Sequence, residues 1–142
     1  MRRVQKSVLL PYSAPQMFDL IDRVEDYPKF LPWCGGTTVK RESDTVKAAI
    51  TIDFGGLQQT FSTVNQNTPH ERIAMRLQDG PFSLLEGEWR FAPLKADACK
   101  VALDLRYDFR SALLAAAVGP VFDMIADSLI DAFTERAEVL YG

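Results

Sequence analysis

Few side chains in this sequence have the types and spacing that catalysis or metal binding requires. The single histidine, His70, sits in the turn Thr-Pro-His-Glu-Arg, whereas zinc or iron centres draw on several His, Cys or acidic ligands. Cys34 and Cys99 are the two thiols. No general base stands at a recognisable spacing from Cys34, and packing as a small apolar residue suits it better than nucleophilic attack. Glu86 and Glu88 lie two residues apart on one side of an extended run, as carboxylates on a solvated strand do. An acid–base pair would need environments that drive the two pKa values apart, and nothing singles out such a pair. Asp53 falls on the polar side of its strand. Gly35-Gly36 and Gly55-Gly56 lack the flanking residues and strand-to-helix setting of a phosphate loop. The expectation is no catalytic residue, no metal and no cofactor.

What the sequence does offer is apolar surface. Its 142 residues are 47% hydrophobic and include nine Phe, four Tyr and two Trp. That length suggests one domain over 1–142, large enough to bury roughly 70% of its unfolded surface. The stretch VEDYPKFLPWCGG, residues 24–36, crowds three rings, two prolines and a cysteine ahead of a glycine pair. Pro28 and Pro32 interrupt any helix, and aromatics in an irregular segment ordinarily cap a core.

The elements around this segment follow from period. Residues 2–10 read as a strand ended by Pro11. Ser13 is a good N-cap with Pro15 in the first turn, and Phe18, Ile21 and Val24 form the stripe of a short helix. Residues 25–33 allow a second helical turn. From Gly36 to Phe109 the period is two, with turns at Gly55-Gly56, Asn-Thr-Pro-His-Glu, Gln-Asp-Gly-Pro and Pro-Leu-Lys-Ala-Asp. Six successive strands on short turns pair antiparallel, one face apolar and the other charged. The tail is a long helix whose stripe runs Val118, Phe122, Ile125, Leu129, Ala132, Phe133 and Leu140. Asp123, Asp127, Asp131 and Glu135 occupy its other side. Gly119-Pro120 should kink it or mark its start. A sheet of seven strands with one apolar face needs a cover, and this helix is the one long amphipathic element, so the sheet should curl around it.

Charge is uneven. Residues 1–110 hold 15 Lys+Arg against 14 Asp+Glu, whereas 111–142 hold one Arg against five acids. A net charge of −3 argues against a DNA binder. The apolar run near the N-terminus is too short for a signal peptide, no uninterrupted stretch reaches the roughly 18 apolar residues of a membrane span, and a cytoplasmic protein with free thiols is expected.

The element order resembles the helix-grip fold of the START and Bet v 1-like superfamily, an α+β class. Tyr-Pro-Lys-Phe-Leu-Pro-Trp-Cys, residues 27–34, and Ala-Phe-Thr-Glu-Arg-Ala, residues 132–137, together with the surrounding C-terminal helix, resemble the polyketide cyclase/dehydrase subfamily. That subfamily holds coenzyme-Q-binding START-domain proteins and bacterial ribosome association toxins. The resemblance covers nearly the whole chain. It implies a cavity between the curled sheet and the last helix, with Tyr27, Phe30, Leu31 and Trp33 as an apolar lip at its mouth. Phe61, Met75, Leu77, Trp89, Phe91, Leu103, Leu105, Phe122, Ile125, Leu129 and Phe133 are the inward candidates for contact with a ligand. Gly87, inside a strand, either frees volume or permits a sharp bend. At about 24 cal/mol per Å³, an apolar void of ~500 Å³ would cost ~12 kcal/mol, so a cavity must be small, hydrated or filled.

The functions so implied are three. The first is non-enzymatic binding of a polyprenyl quinone such as ubiquinone, or another lipid, in support of respiration, with transient contact at the inner membrane. The second is a toxin that binds the large ribosomal subunit and blocks subunit association, with Arg2, Arg3, Lys6, Lys40, Arg41, Lys47, Arg72 and Arg76 collecting into a phosphate-binding patch and the acidic helix face turned away. The third is a polyketide cyclase or aromatase, which the residue chemistry does not support.

Overall fold

A computed structural model describes residues 1–142. The chain runs β1 (Arg2–Leu10), α1 (Ala14–Asp22), a 3₁₀ turn (Val24–Lys29), then β2 (Cys34–Glu42), β3 (Thr45–Phe54), β4 (Leu57–Thr68), β5 (Arg72–Asp79), β6 (Phe82–Lys95) and β7 (Ala98–Phe109), and ends in α2 (Ala112–Tyr141). The strands form one antiparallel sheet in the order β1-β7-β6-β5-β4-β3-β2. Successive hairpins explain β2 to β7, and β1 closes the far edge by pairing Arg2 through Leu10 with Tyr107 through Cys99. The seven-stranded curled sheet with its long C-terminal helix is the α+β helix-grip arrangement that the sequence implies.

Local chemistry accounts for the boundaries. The Ser13 Oγ accepts from the Gln16 N–H at 3.2 Å and the Gln16 Oε1 accepts from the Ser13 N–H at 2.9 Å, a reciprocal cap on α1. Ser111 caps α2 by accepting from Leu114 N–H at 3.1 Å. Gly55 and Gly56 adopt φ of 59° and 83°, the two positive values that a tight hairpin demands. The helix α2 begins at Ala112, well before Gly119-Pro120, so that pair does not mark its start; Pro120 lies inside the helix and faces solvent.

The core lies between the concave sheet face and α2. Val118, Phe122, Ile125, Ala126, Ile130, Phe133 and Ala137 are buried from the helix, and α2 packs on β7, β1 and α1. By length and hydropathy α2 is also apolar enough to cross a membrane, although no uninterrupted apolar run in the sequence is that long. Leu140, placed on the stripe from sequence, is 50% exposed, beside α1 at a groove it shares with Asp19, Leu20 and Arg23. Phe54, at the tip of the β3–β4 hairpin, is likewise exposed.

Gly87 settles which of its two roles holds. A Cβ there would lie 2.5 Å from the Asp104 carbonyl oxygen and 3.0 Å from the Leu105 Cα. The residue exists to let β6 and β7 approach, and does not carve space.

Candidate functional site

Between α2 and the sheet lies a cavity of about 90 Å³ lined by 17 residues, 15 of them apolar. The alternation of each strand decides which side chains reach it. Phe61 comes from β4, Met75 from β5, Trp89 from β6, Leu103 and Leu105 from β7, and Phe122, Ile125, Leu129 and Phe133 from α2. Tyr27 and Trp33 reach it from the segment after α1. Eleven of the fifteen residues proposed from sequence thus converge on one space, joined by Val24, Ala48, Ile50 and Leu85.

Four do not line it. Leu31 is buried at 1% exposure within the turn, where its N–H donates to Tyr27 O at 2.9 Å and its carbonyl accepts from Cys34 N–H at 3.0 Å. Phe30 sits between the Phe133 ring, 5.8 Å away, and the Arg136 guanidinium, 5.0 Å from its ring centre. Phe91 packs edge-on against Phe18 at 5.5 Å, under α1. Leu77 is half-buried beside the core. The period of a strand tells which face a residue takes, but not how far along the strand the covering helix reaches, and Leu77 and Phe91 lie beyond that reach.

The proline-bracketed segment is accordingly a seal more than an open lip. Tyr27 is buried, its hydroxyl donating to Ile21 O at 2.5 Å, and its ring lies 5.3 Å from that of Phe133. Burial holds the Tyr27 hydroxyl far above the ordinary phenol range, with the Asp22 charge adding to the effect. The rings clamp the C-terminal half of α2 to the rim.

Two polar side chains line the cavity, and the sequence reading passed over both. Thr63 and Asn65 are each 6% exposed. The Thr63 hydroxyl donates to Asn65 Oδ1 at 2.8 Å. Of the buried side-chain polar atoms, Asn67 Oδ1 is the one without a hydrogen-bond partner. Parity counted from the inward Phe61 would have found both, since 61, 63, 65 and 67 share one face; their polarity made β4 look solvated. The third of the set, Asn67, leaves the cavity and donates to Asp22 Oδ1 at 2.8 Å.

Neither thiol is poised for attack. Cys34 and Cys99 are both buried and free, and burial raises the pKa of each. His70 is an exposed turn residue at φ 66°, edge-on to Phe18 at 5.7 Å.

The opposite face of the same strands is charged. Over Gly87 runs a groove of about 570 Å³ flanked by Arg72, Arg76, Arg90 and Arg106 with Glu86, Glu88 and Asp104. Strand register adds a row straight across the sheet: Lys40, Lys47, Val64, Arg76, Glu86, Arg106 and Arg3 are successive partners from β2 to β1. Five of those seven are cations. Arg106 pairs with Glu86, and Arg3 with Asp104 at 2.9 Å. Lys47 and Arg76 have no carboxylate within ion-pair distance. Arg90 and then Arg72 hold the Glu88 carboxyl below its usual range, and Arg3 does so for Asp104.

The patch expected from sequence is therefore divided. Arg2 binds Asp123 at 2.9 Å and Lys6 donates to the Asp127 carbonyl at 2.6 Å, both tying β1 to α2. Arg41 bridges Asp22, at 3.0 Å, and Glu25, at 2.8 Å, fastening β2 to the end of α1. Arg72 is held by Glu88 at 2.6 Å. Nor does the whole acidic side of α2 turn away, since Asp123 faces Arg2 and accepts from the Tyr107 hydroxyl. A helix lying in a sheet presents its flanks to the edge strand, and cations there neutralise it.

Three comparisons bear on this geometry. Residues 10–134 match the family described as polyketide cyclase / dehydrase and lipid transport. The ribosome association toxin RatA of Pseudomonas aeruginosa is 44% identical over 140 residues, which is 98% of this chain and 97% of that protein. The mitochondrial coenzyme Q-binding protein COQ10 homolog B of Xenopus laevis is 26% identical over 96% of this chain and 58% of its own length. Among solved structures, the Zhui aromatase/cyclase of Streptomyces sp. R1128 superposes with a TM-score of 0.78 at 22% identity, covering 96% of this chain and 93% of that one; at that identity the likeness speaks for the fold.

Proposed function

The chain belongs to the polyketide cyclase/dehydrase and lipid transport family, and from that premise we propose that it acts by association with the ribosome, binding the large subunit through the outer face of its sheet and hindering subunit joining. The observation that carries this reading is the cross-sheet row with its two uncompensated cations, Lys47 and Arg76, the latter lining the groove of about 570 Å³ over Gly87. Cations held in a rigid row on a surface can engage RNA phosphates even when the whole molecule is acidic. The relatives named as ribosome association toxins, matched over nearly their full length, support the same reading. Binding, and not catalysis, suits the inner cavity: its polar groups are an amide, a hydroxyl and a phenol whose hydroxyl is occupied by Ile21 O, none of which exchanges protons near neutral pH.

The test is sedimentation of the purified protein with isolated large subunits at rising salt. Association at low salt that falls steeply as salt rises is expected of phosphate contacts. Absence of co-sedimentation at any salt concentration refutes the reading.

A second reading rests on the cavity. Its lining suits an apolar ligand, and the distant likeness to a coenzyme Q-binding protein supports a ring-bearing one. Size sets the limit. The space of about 90 Å³ is smaller than the roughly 150 Å³ apolar cavity that accepts benzene. A quinone ring would enter only as the half-buried Ile50, Met75 and Leu129 move aside, and a polyprenyl tail would have to remain outside. Maintaining a cavity of this size costs about 2 kcal/mol, which a domain tolerates.

A further inference from the structure

We infer that Arg72 and Arg90 form a phosphodiester site on the outer face of the sheet, and that Glu88 occupies it as a built-in competitor that an RNA phosphate displaces. This rests on the ribosome reading above and deepens it by naming where a phosphate is received and what holds the site shut. The three side chains lie in the groove over Gly87. Arg72 Nε donates to Glu88 Oε2 at 2.6 Å, and Arg90 Nε donates to Glu88 Oε1 at 2.5 Å. Two guanidinium groups thus converge on the two oxygens of one anion. A phosphodiester presents its pair of non-bridging oxygens in the same manner, and arginine is the side chain whose planar fork fits it.

The register gives the sheet itself little benefit from this convergence. Arg72 and Arg90 are direct cross-strand partners, as are Arg3 and Arg106, and Lys40 and Lys47. Glu88 stands opposite Asp104. Like charges set opposite each other destabilise a strand pair. The ion pairs offset little of this, because Arg72 is 48% exposed and Arg90 64%, and exposed pairs contribute little to stability. What the arrangement does provide is a pair of cations already aimed at one point, with one neutralising carboxylate that can leave it. Directly across from Glu88 is Ala74, which also lines the groove. So small a side chain leaves room for the glutamate to turn aside and the ligand to enter. The carboxylate also confers selection. A stray polyanion must displace Glu88 for contact with Arg72 and Arg90 alone. A ligand that also reaches Arg76, in the same groove, and Lys47, farther along the row, gains more from the exchange and displaces the glutamate.

The experiment measures the affinity of the full chain for a short oligouridylate and for isolated large subunits. It compares the native protein, Glu88→Gln, Glu135→Gln, the pair Arg72→Gln with Arg90→Gln, and that pair combined with Glu88→Gln. Glu88→Gln keeps the shape of the side chain and removes its charge. Glu135→Gln removes the same charge from α2, away from the groove. The oligonucleotide is expected to bind Glu88→Gln about tenfold more tightly than the native protein, the scale of one charge-assisted hydrogen bond made available to the ligand. Glu135→Gln should stay within about twofold of native, since its charge is distant and screened. Loss of both arginines should cost about tenfold more in the Glu88→Gln background than in the native one. An equal gain from both glutamate variants, no gain from Glu88→Gln, the same arginine cost in both backgrounds, or no binding of the oligonucleotide at all overturns the inference. Subunit binding by the native protein decides the ribosome reading separately. Native protein that sediments with subunits leaves that reading standing even where the site has failed. An arginine-dependent gain on the oligonucleotide without subunit binding leaves the site standing and overturns the reading. Should Glu88→Gln not fold, the Nε–H resonances of Arg72 and Arg90 in nitrogen-15-labelled native protein decide: oligouridylate binding that leaves both unmoved refutes the site.

Discussion

The two faces of strands β4 to β7 use one backbone for opposite physics. On the inner face, Phe61, Trp89, Leu103, Leu105 and α2 close around an apolar cavity of about 90 Å³. On the outer face, the intervening residues Arg76, Glu86, Glu88, Asp104 and Arg106 flank a groove of about 570 Å³. Period two makes the two surfaces independent in composition while Gly87 makes them mechanically one, because the close β6–β7 approach shapes both. Substitutions on the inner face should therefore change stability and leave the proposed ribosome association alone, and those on the outer face should do the reverse.

The strongest way to break that separation is Phe122→Ala. The Phe122 ring lies 4.7 Å from that of Tyr107, 4.8 Å from Phe82 and 5.9 Å from Phe61. Its removal is expected to cost about 3–5 kcal/mol in urea unfolding, with subunit binding unchanged wherever the variant remains folded. Gly87→Ala comes next. Its Cβ would strike backbone, which cannot rotate away, so a loss of about 2–3 kcal/mol is expected; unlike the first variant, it should also weaken subunit binding by distorting the groove. The double variant Lys47→Glu and Arg76→Glu should keep stability within about 0.5 kcal/mol. It should lower affinity for large subunits at least tenfold and flatten the salt dependence. Unchanged salt dependence would move the contact to another surface.

The smallest effect is acidic. Glu25, Glu88 and Asp104 titrate below their ordinary values because Arg41, Arg90 and Arg3 hold them ionised. A folded-state pKa below the unfolded one stabilises the fold above the unfolded value and is lost as pH falls through the folded one. The urea midpoint should stay level from neutrality to about pH 5 and decline below about pH 4. A decline that begins near neutrality would mean that other groups dominate.

Much of this was legible in the sequence, for a definite reason. Period two, glycine pairs and the two serine caps report local physics, so all seven strands and both helices could be anticipated. The need to cover an apolar sheet face supplied the closure of sheet on helix, and resemblance at residues 27–34 and 132–137 supplied the cavity between them. What escaped depends on register. Lys40, Lys47, Arg76, Arg106 and Arg3 are far apart in sequence and align only once every strand pair is set. Arg2, Lys6 and Arg41 look like free cations until their partners on α2 and α1 are known. Thr63 and Asn65 were hidden because polarity was allowed to outweigh parity on β4. Phe30 and Leu31 belong to the plug that holds α2, a role that a run of rings and prolines does not distinguish from a gate.

The pairing of β1 with β7 has a consequence for synthesis. During translation the segment Arg2–Leu10 emerges before the rest of the sheet, and its strand partner, Ala98–Phe109, is made some ninety residues later. The β2–β7 meander can form hairpin by hairpin as it appears, while β1 waits without a template until β7 is made, and α2 follows last. Closure of the sheet is thus a late, long-range event, and slow in the manner of high contact order. Until then the nascent chain displays a bare β7 edge, the surface most exposed to wrong pairing before Arg2 and Lys6 lock the first strand against the last helix.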